Sequence, residues 1–358
     1  SFPTRRSSDL KPLRRRSTTA ILLIGLPVLA LSAILATALG ATSIEPGLVL
    51  AVILDRLGLV KDPSIPAVAK SVILMIRLPR IAAAILAGSG LAMAGTIMQG
   101  LFRNPLAEPG ILGVSAGASL GALVAMVAGT GAFFALSLYA FIGAFIAVAI
   151  ILLLSLFARG GARTVTLIMS GMAVSAFFGA LTSLLLTLSN EYQVASYIFW
   201  TMGGLSNRQW SHVTAMLAPV LVTLAILVYK SRDLDILLLG DEEAKALGVS
   251  PGWTRTLLIL LSSLATAAIV SVTGPIGFVG LIVPHIMRLL VGPAHRQLAV
   301  ASALGGGIFL LLCDLVTRLF SRPTGAELSA GVVTAIVGAP YFLYLLFNAA
   351  RKGGRIQT

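Results

Sequence analysis

The stretch from Leu78 to Leu123 constrains this chain more than any other. Arg77-Leu-Pro-Arg80 opens it as a basic turn, and an apolar run rich in Ala, Gly and Met follows. At 1.5 Å per residue, about twenty such residues in a helix cross a hydrocarbon core of ~30 Å. The polar segment Arg103-Asn-Pro-Leu-Ala-Glu-Pro-Gly110 then breaks the run, because proline cannot continue a helix interior. A second small-residue run starts at once, with Gly113, Gly117 and Gly121 on one helical face. The pattern predicts an out-and-back membrane hairpin with an irregular polar connection. Lipid gives helices no hydrophobic drive to associate, so close backbone approach through small residues must do much of that work. The spaced glycines here, and Gly305-Gly306-Gly307 later, therefore predict tightly packed helices.

Composition says the same of the whole chain. Of 358 residues, 57% are hydrophobic and 11% are charged, against about 25% charged in a soluble domain. This is the composition of a polytopic membrane protein. The net charge of +13 would suggest nucleic acid in a soluble protein. Here the basic residues sit at the ends of apolar spans, so the positive-inside rule accounts for them and no nucleic-acid partner is expected. The single cysteine, Cys313, lies in an apolar run and reads as packing.

Ten apolar spans are expected, at about 18–41, 79–101, 112–130, 134–157, 164–188, 212–229, 255–273, 276–291, 298–319 and 327–347. Residues 18–350 form one transmembrane domain. A basic tail, 1–17, precedes it; its first ten residues lack the pattern of the rest and read as a cloning or sequencing scar. A basic tail, 351–358, follows. With both termini inside, eighteen of the 26 Lys and Arg fall on the inner side and eight on the outer, the bias that orients bacterial membrane proteins. Tyr192, Tyr197, Trp200 and Trp210 mark an outer boundary, where aromatic rings settle at the membrane–water interface.

Chemistry-bearing residues are few. No Gly-x4-Gly-Lys-Ser/Thr phosphate cradle occurs, so no ATP site is expected in this chain. His212, His285 and His295 are not spaced as a metal cluster, and no metal site is expected. Asp314 is the main intramembrane carboxylate; it is either functional or paired with Arg318 one helical turn away. Between spans six and seven, Gly240-Asp241-Glu242-Glu243-Ala244-Lys-Ala-Leu247-Gly248 predicts a short amphipathic helix. Acids in its first turn suit the helix dipole, and Ala244 and Leu247 give it an apolar face. Either it docks in a partner's groove or it is a solvated loop helix. On the opposite face, Arg77, Arg80 and Arg318 either anchor lipid headgroups or present positive sockets to an acidic partner.

Five long motifs occur in order: Ile76-Arg-Leu-Pro-Arg80, GLFRNPLAEPGILGVSAGASLGA from Gly100, LLLGDEEAKALGV, GPIGFVGLIVPHIMRLL from Gly274, and GAELSAGVVTAIVGAPYFLYLL from Gly325. With them the chain resembles, over about 18–350, the permeases of binding-protein-dependent ABC importers for iron–siderophore complexes, haem and cobalamin, the FecCD type. The resemblance implies an all-α integral membrane protein of about ten transmembrane helices, the type II ABC importer bundle. It implies a second copy of the chain, two ATPase subunits carrying ATP and Mg, and a periplasmic or lipid-anchored substrate-binding protein. No cofactor is expected on the chain itself. The implied site is the ATPase-coupling helix at Gly240, Asp241, Glu242, Glu243, Ala244, Leu247 and Gly248. Arg77, Arg80 and Arg318 are implied to dock the binding protein. Thr164 and Val165 are the implied cytoplasmic gate, although Val165 departs from the usual polar pair, and Trp200, Met202 and Gly203 the outer gate. In Glu327-Leu-Ser-Ala330-Gly331 the usual proline before Gly331 is missing. Together these readings predict a non-enzymatic permease of the bacterial or archaeal cytoplasmic membrane that moves a ferric chelate, siderophore or haem. Cobalamin is the alternative cargo. A proton-coupled transporter and a sensor or scaffold are the alternative classes. Pro109-Gly-Ile-Leu-Gly113 and Pro275-Ile-Gly-Phe-Val-Gly280 further suggest an inverted repeat.

Overall fold

The computed structural model describes residues 17–40, 44–59, 65–129, 133–156, 162–324 and 327–351. The two tails expected at 1–17 and 351–358 lie almost wholly outside the described residues. The described chain is helical: α1 Thr18–Ala38, α2 Pro46–Arg56, α3 Ala67–Ser71, α4 Leu78–Phe102, α5 Val114–Val127, α6 Phe133–Leu156, α7 Ala162–Thr187 and α8 Glu191–Thr201. There follow α9 Trp210–Tyr229, α10 Ser231–Leu237, α11 Asp241–Ala246, α12 Pro251–Thr273, α13 Val279–Val291, α14 His295–Thr324 and α15 Ala330–Arg351. Among the described residues, eight helical stretches are long and apolar enough to cross a bilayer, and α5 and α13 are shorter apolar helices. These ten correspond to the ten expected spans.

Helix α4 is the axle of the bundle. It packs against α14, α12, α9, α13 and α1, and most of its residues are buried. Glycine explains how one helix can touch so many. A Cβ on Gly88 would lie 2.1 Å from the Gly306 carbonyl of α14, and one on Gly95 would lie 1.8 Å from the Gly280 carbonyl of α13. Gly117 meets Gly143 of α6 in the same way. Backbones therefore approach to a distance that any side chain would prevent. The second membrane-crossing stretch begins earlier than the expected 79, at Ala67. Helix α3 passes through a π-helical stretch, Val72–Arg77, straight into α4. The wide turn rotates Arg77 toward the end of α1, where it is buried.

Helices α5 and α13, of 14 and 13 residues, reach only part way across a ~30 Å core. Each follows a break, 103–113 before α5 and 274–278 before α13, that ends in a left-handed residue, Gly113 (φ 66°) or Phe278 (φ 68°). The two breaks meet. Phe278 N–H donates to Glu108 Oε1 at 3.3 Å, and Pro109 packs on Gly280. The Arg103–Gly110 segment expected as a plain loop thus turns back into the bundle. Irregular backbone is tolerated at that depth because protein, not lipid, surrounds it. From this junction α5 runs toward α8, where Gln193 donates to the Met126 carbonyl, and α13 runs the other way toward α14. The opposed half-length pair is the inverted arrangement that the two Pro/Gly motifs suggest.

Candidate functional site

At one end of the bundle, α10 and α11 form a small plate below the long helices. Gly240 and Gly248 bracket α11 with φ of 143° and 81°, values that side-chain-bearing residues rarely adopt. Gly240 also leaves room for the Glu243 carboxylate, which a Cβ there would strike. Asp241 starts the helix and Arg255, early in α12, grips it with both arms: Nη1 donates to Oδ2 at 2.7 Å and Nη2 to Oδ1 at 2.5 Å. These hydrogen bonds, ahead of any other cause, hold the Asp241 carboxyl below the usual carboxylate range. Ala244 is fully buried on the inner face, while Glu242, Lys245 and Leu247 face outward, Leu247 at 59% exposed. Arg103, just past α4, donates to the Leu237 carbonyl at 2.6 Å. Asp235 accepts from the His295 backbone N–H at 3.1 Å and lies 2.5 Å from its ring Nδ1. The plate is tied to α4, α12 and α14 at once.

The other end holds the three arginines singled out from sequence. Arg80 forks onto Asp314, with Nε 2.9 Å from Oδ1 and 3.1 Å from Oδ2 and Nη2 2.7 Å from Oδ1. The same Nη2 lies 2.5 Å from Glu327. Arg318 reaches Asp314 at 3.1 Å, the turn-to-turn pairing that the sequence predicts, and Asp314 is fully buried between the two guanidiniums. Arg77 donates to the carbonyls of Thr37 and Ala38, and Arg318 to those of Ala36 and Leu39. They satisfy the last carbonyls of α1, which have no partner within the helix. The expectation of three outward sockets meets a different geometry. Arg77 and Arg318 are each 7% exposed and turned inward; only Arg80 borders an open group, Glu327.

Trp200, Met202 and Gly203 close α8, whose start is fixed by a reciprocal cap between Asn190 and Gln193. Gly204 N–H donates to the Thr273 carbonyl at 2.7 Å and Gly331 N–H to the Gly203 carbonyl at 3.1 Å. Backbone bonds thus stitch this turn to the end of α12 and the start of α15. Trp200 is half-buried, and Met202 is exposed. Val165 is 58% exposed at the start of α7; the Thr164 side chain lies outside the described residues. The structure brings together the residues within each group but keeps the α11 plate and the arginine cluster at opposite ends. Sequence reasoning missed Arg255, Arg103, Asp235 and Glu108. Arg103, Asp235 and Glu108 have partners 60 or more residues away, and Arg255 meets Asp241 across a helix boundary, so no local spacing signals any of them.

A ten-segment helical bundle with close-packed glycines, paired half-helices and a braced helix outside the spans defines a membrane permease of the type II importer class. The chain belongs to the FecCD transport family, which matches residues 28–348. It is 43% identical over 282 residues to the cobalamin import system permease protein BtuC of Halobacterium salinarum, covering 79% of this chain and 75% of that one. It is 41% identical over 280 residues to the hemin transport system permease protein HmuU of Yersinia pestis, covering 77% and 83%. A solved structure described as an inward-facing conformation of a metal-chelate type ABC transporter matches with a TM-score of 0.80 at 34% identity, covering 92% of this chain and 99% of that one. The protein is thus the permease of an ABC importer, a family in which a separate subunit hydrolyses ATP.

Proposed function

We propose that two copies of this chain surround a central path, that α11 docks in an ATPase subunit, and that the arginine end receives a substrate-binding protein. The observation that carries this reading is the α11 plate. A six-residue helix too short to be stable alone is pinned by Arg255 on one face and offers Glu242, Lys245 and Leu247 on the other. A displacement of α11 by its partner would pass directly to α4, α12 and α14. On this reading the plate is cytoplasmic, both termini are cytoplasmic, and the membrane is a bacterial or archaeal inner membrane. Thr164 and Val165 form the cytoplasmic gate, and Trp200, Met202 and Gly203 the outer one. Arg80 is the docking group that an acidic partner reaches first, by displacing Glu327, with Arg77 and Arg318 holding the network behind it.

The cargo proposed is a ferric chelate, siderophore or haem; the haem relative supports it. Cobalamin is the second reading, supported by the 43% identical relative. Proteoliposomes test the function. Uptake is expected only with the ATPase, the binding protein and ATP together; uptake driven by a proton gradient without the ATPase refutes it. Affinities of the binding protein for haem, ferric siderophores and cobalamin decide the cargo.

A further inference from the structure

A cavity of about 450 Å³ opens between α6, α9 and α12, on the half of the bundle away from α11. It belongs to neither gate nor to either charged cluster. Its walls are graded. At the rim stand Asn207, Gln209, Ser211 and His212, with no Asp or Glu among the lining residues. Deeper, Leu138, Phe141, Ala215, Pro219 and Ala268 line it. The helices on either side carry exposed apolar residues, Leu138, Ile142 and Phe145 on α6 and Leu217 and Leu221 on α9, so the cavity opens on the bilayer. Trp210 sits beside the rim, its Nε1–H donating to the Leu74 carbonyl at 3.0 Å. An exposed tryptophan in that setting marks the headgroup boundary. From Gln209 to Pro219 the helix descends about 15 Å, half of a ~30 Å core and so the depth of one leaflet.

Two hydroxyls interrupt the apolar wall, and one of them, Ser271 Oγ–H, is satisfied by the Ala268 carbonyl at 3.0 Å. Ser137 Oγ lines the cavity one turn below Phe134, is shielded from solvent, and makes no hydrogen bond within the chain. Pro219, inside α9, has no N–H to donate to the Ala215 carbonyl one turn earlier. A shielded hydroxyl without a partner is costly. A donor at that depth, below neutral donors at the rim and above a purely apolar floor, matches three levels of one kind of molecule.

We propose that this groove is a binding site for one glycerophospholipid of the leaflet opposite α11. Its phosphate lies among the Asn207, Gln209 and Ser211 donors, an ester carbonyl accepts from Ser137 Oγ–H, and an acyl chain covers Phe141, Pro219 and Ala268. The site follows from the membrane setting alone, and it stands whichever cargo the permease moves. It also anchors the α9 start, which follows directly on the turn that Gly203 and Gly204 stitch to α12.

The test uses the full chain in nanodiscs of phosphatidylethanolamine and phosphatidylglycerol doped with a phospholipid carrying a diazirine in its acyl chain. Adducts are expected to concentrate on peptides holding Ser137–Phe141 and Ala215–Pro219. Ala215 is exposed, so Ala215→Trp fills the groove without disturbing the core; it should reduce those adducts to the level of other lipid-facing helices. Leu153→Trp, on the exposed face of α6 outside the groove, should leave them unchanged. Ser137→Ala, which keeps the shape, should lower the amount of phospholipid retained in native mass spectrometry. Even labelling of all lipid-facing helices, or labelling indifferent to Ala215→Trp, overturns the proposal. So does a disulfide between copies bearing Leu138→Cys, which would put a second chain in the groove; the native Cys313 is buried and gives little background.

Discussion

Both ends of this bundle are built on an arginine fork closed over an aspartate, and the two forks do different work. Arg80 and Asp314 join α4 to α14 where the carboxylate has no exposed surface and a second arginine, Arg318, completes the cage. Arg255 and Asp241 join α12 to α11 where the aspartate is 44% exposed. Burial decides the difference. A charge removed from water must be fully matched, and losing its partner is then costly. A pair near solvent contributes little to stability, but its geometry still fixes where a helix points. The first fork holds the bundle together; the second fixes where a small helix points.

That contrast can be broken or sharpened in order of expected effect. Asp314→Ala leaves Arg80 and Arg318 facing each other in a buried site and is expected to destabilise by about 3–5 kcal/mol. Its thermal midpoint and yield from membranes should collapse; a variant as stable as wild type would show that the cage is not structural. Arg255→Ala should lower stability by at most about 1 kcal/mol, yet strongly reduce ATP-driven uptake in proteoliposomes while the ATPase still hydrolyses ATP. Unchanged uptake would remove α11 bracing from the mechanism. The smallest effect is acid sensitivity. Because Arg255 depresses the folded-state value of Asp241, the pairing contributes fully above the ordinary carboxylate value of about 3.9 and is lost as pH falls through the lower folded value. Wild type should therefore lose more stability than Asp241→Asn on acidification below about pH 4, as followed by thermal unfolding.

Much of the fold was legible because its signals are local. Ten apolar runs, the bracketing Gly240 and Gly248, and the spaced glycines all report their structure over a few residues. The pairing of Asp314 with Arg318 was legible for the same reason, being one helical turn apart. Arg80 joining that pair was not, because 234 residues separate it from Asp314. Glu108 on Phe278 is hidden in the same way, across 170 residues; Arg255 is only 14 residues from Asp241, but α11 ends between them and no helical spacing relates the two. The inward turn of Arg77 depends on a π-helical stretch, and apolar periodicity does not reveal it.

By itself the sequence determined that the chain is a membrane bundle, where its helices break, and which faces are small enough to touch. Those follow from hydrophobicity, proline and glycine, which act on the backbone wherever they stand. Only the tertiary structure decided which charges meet, that the segment after α4 turns back to face the break before α13, and that α6, α9 and α12 leave a groove one leaflet deep. Charge pairing and cavities depend on how helices far apart in sequence are brought side by side, and close glycine contacts set that arrangement for the whole bundle at once.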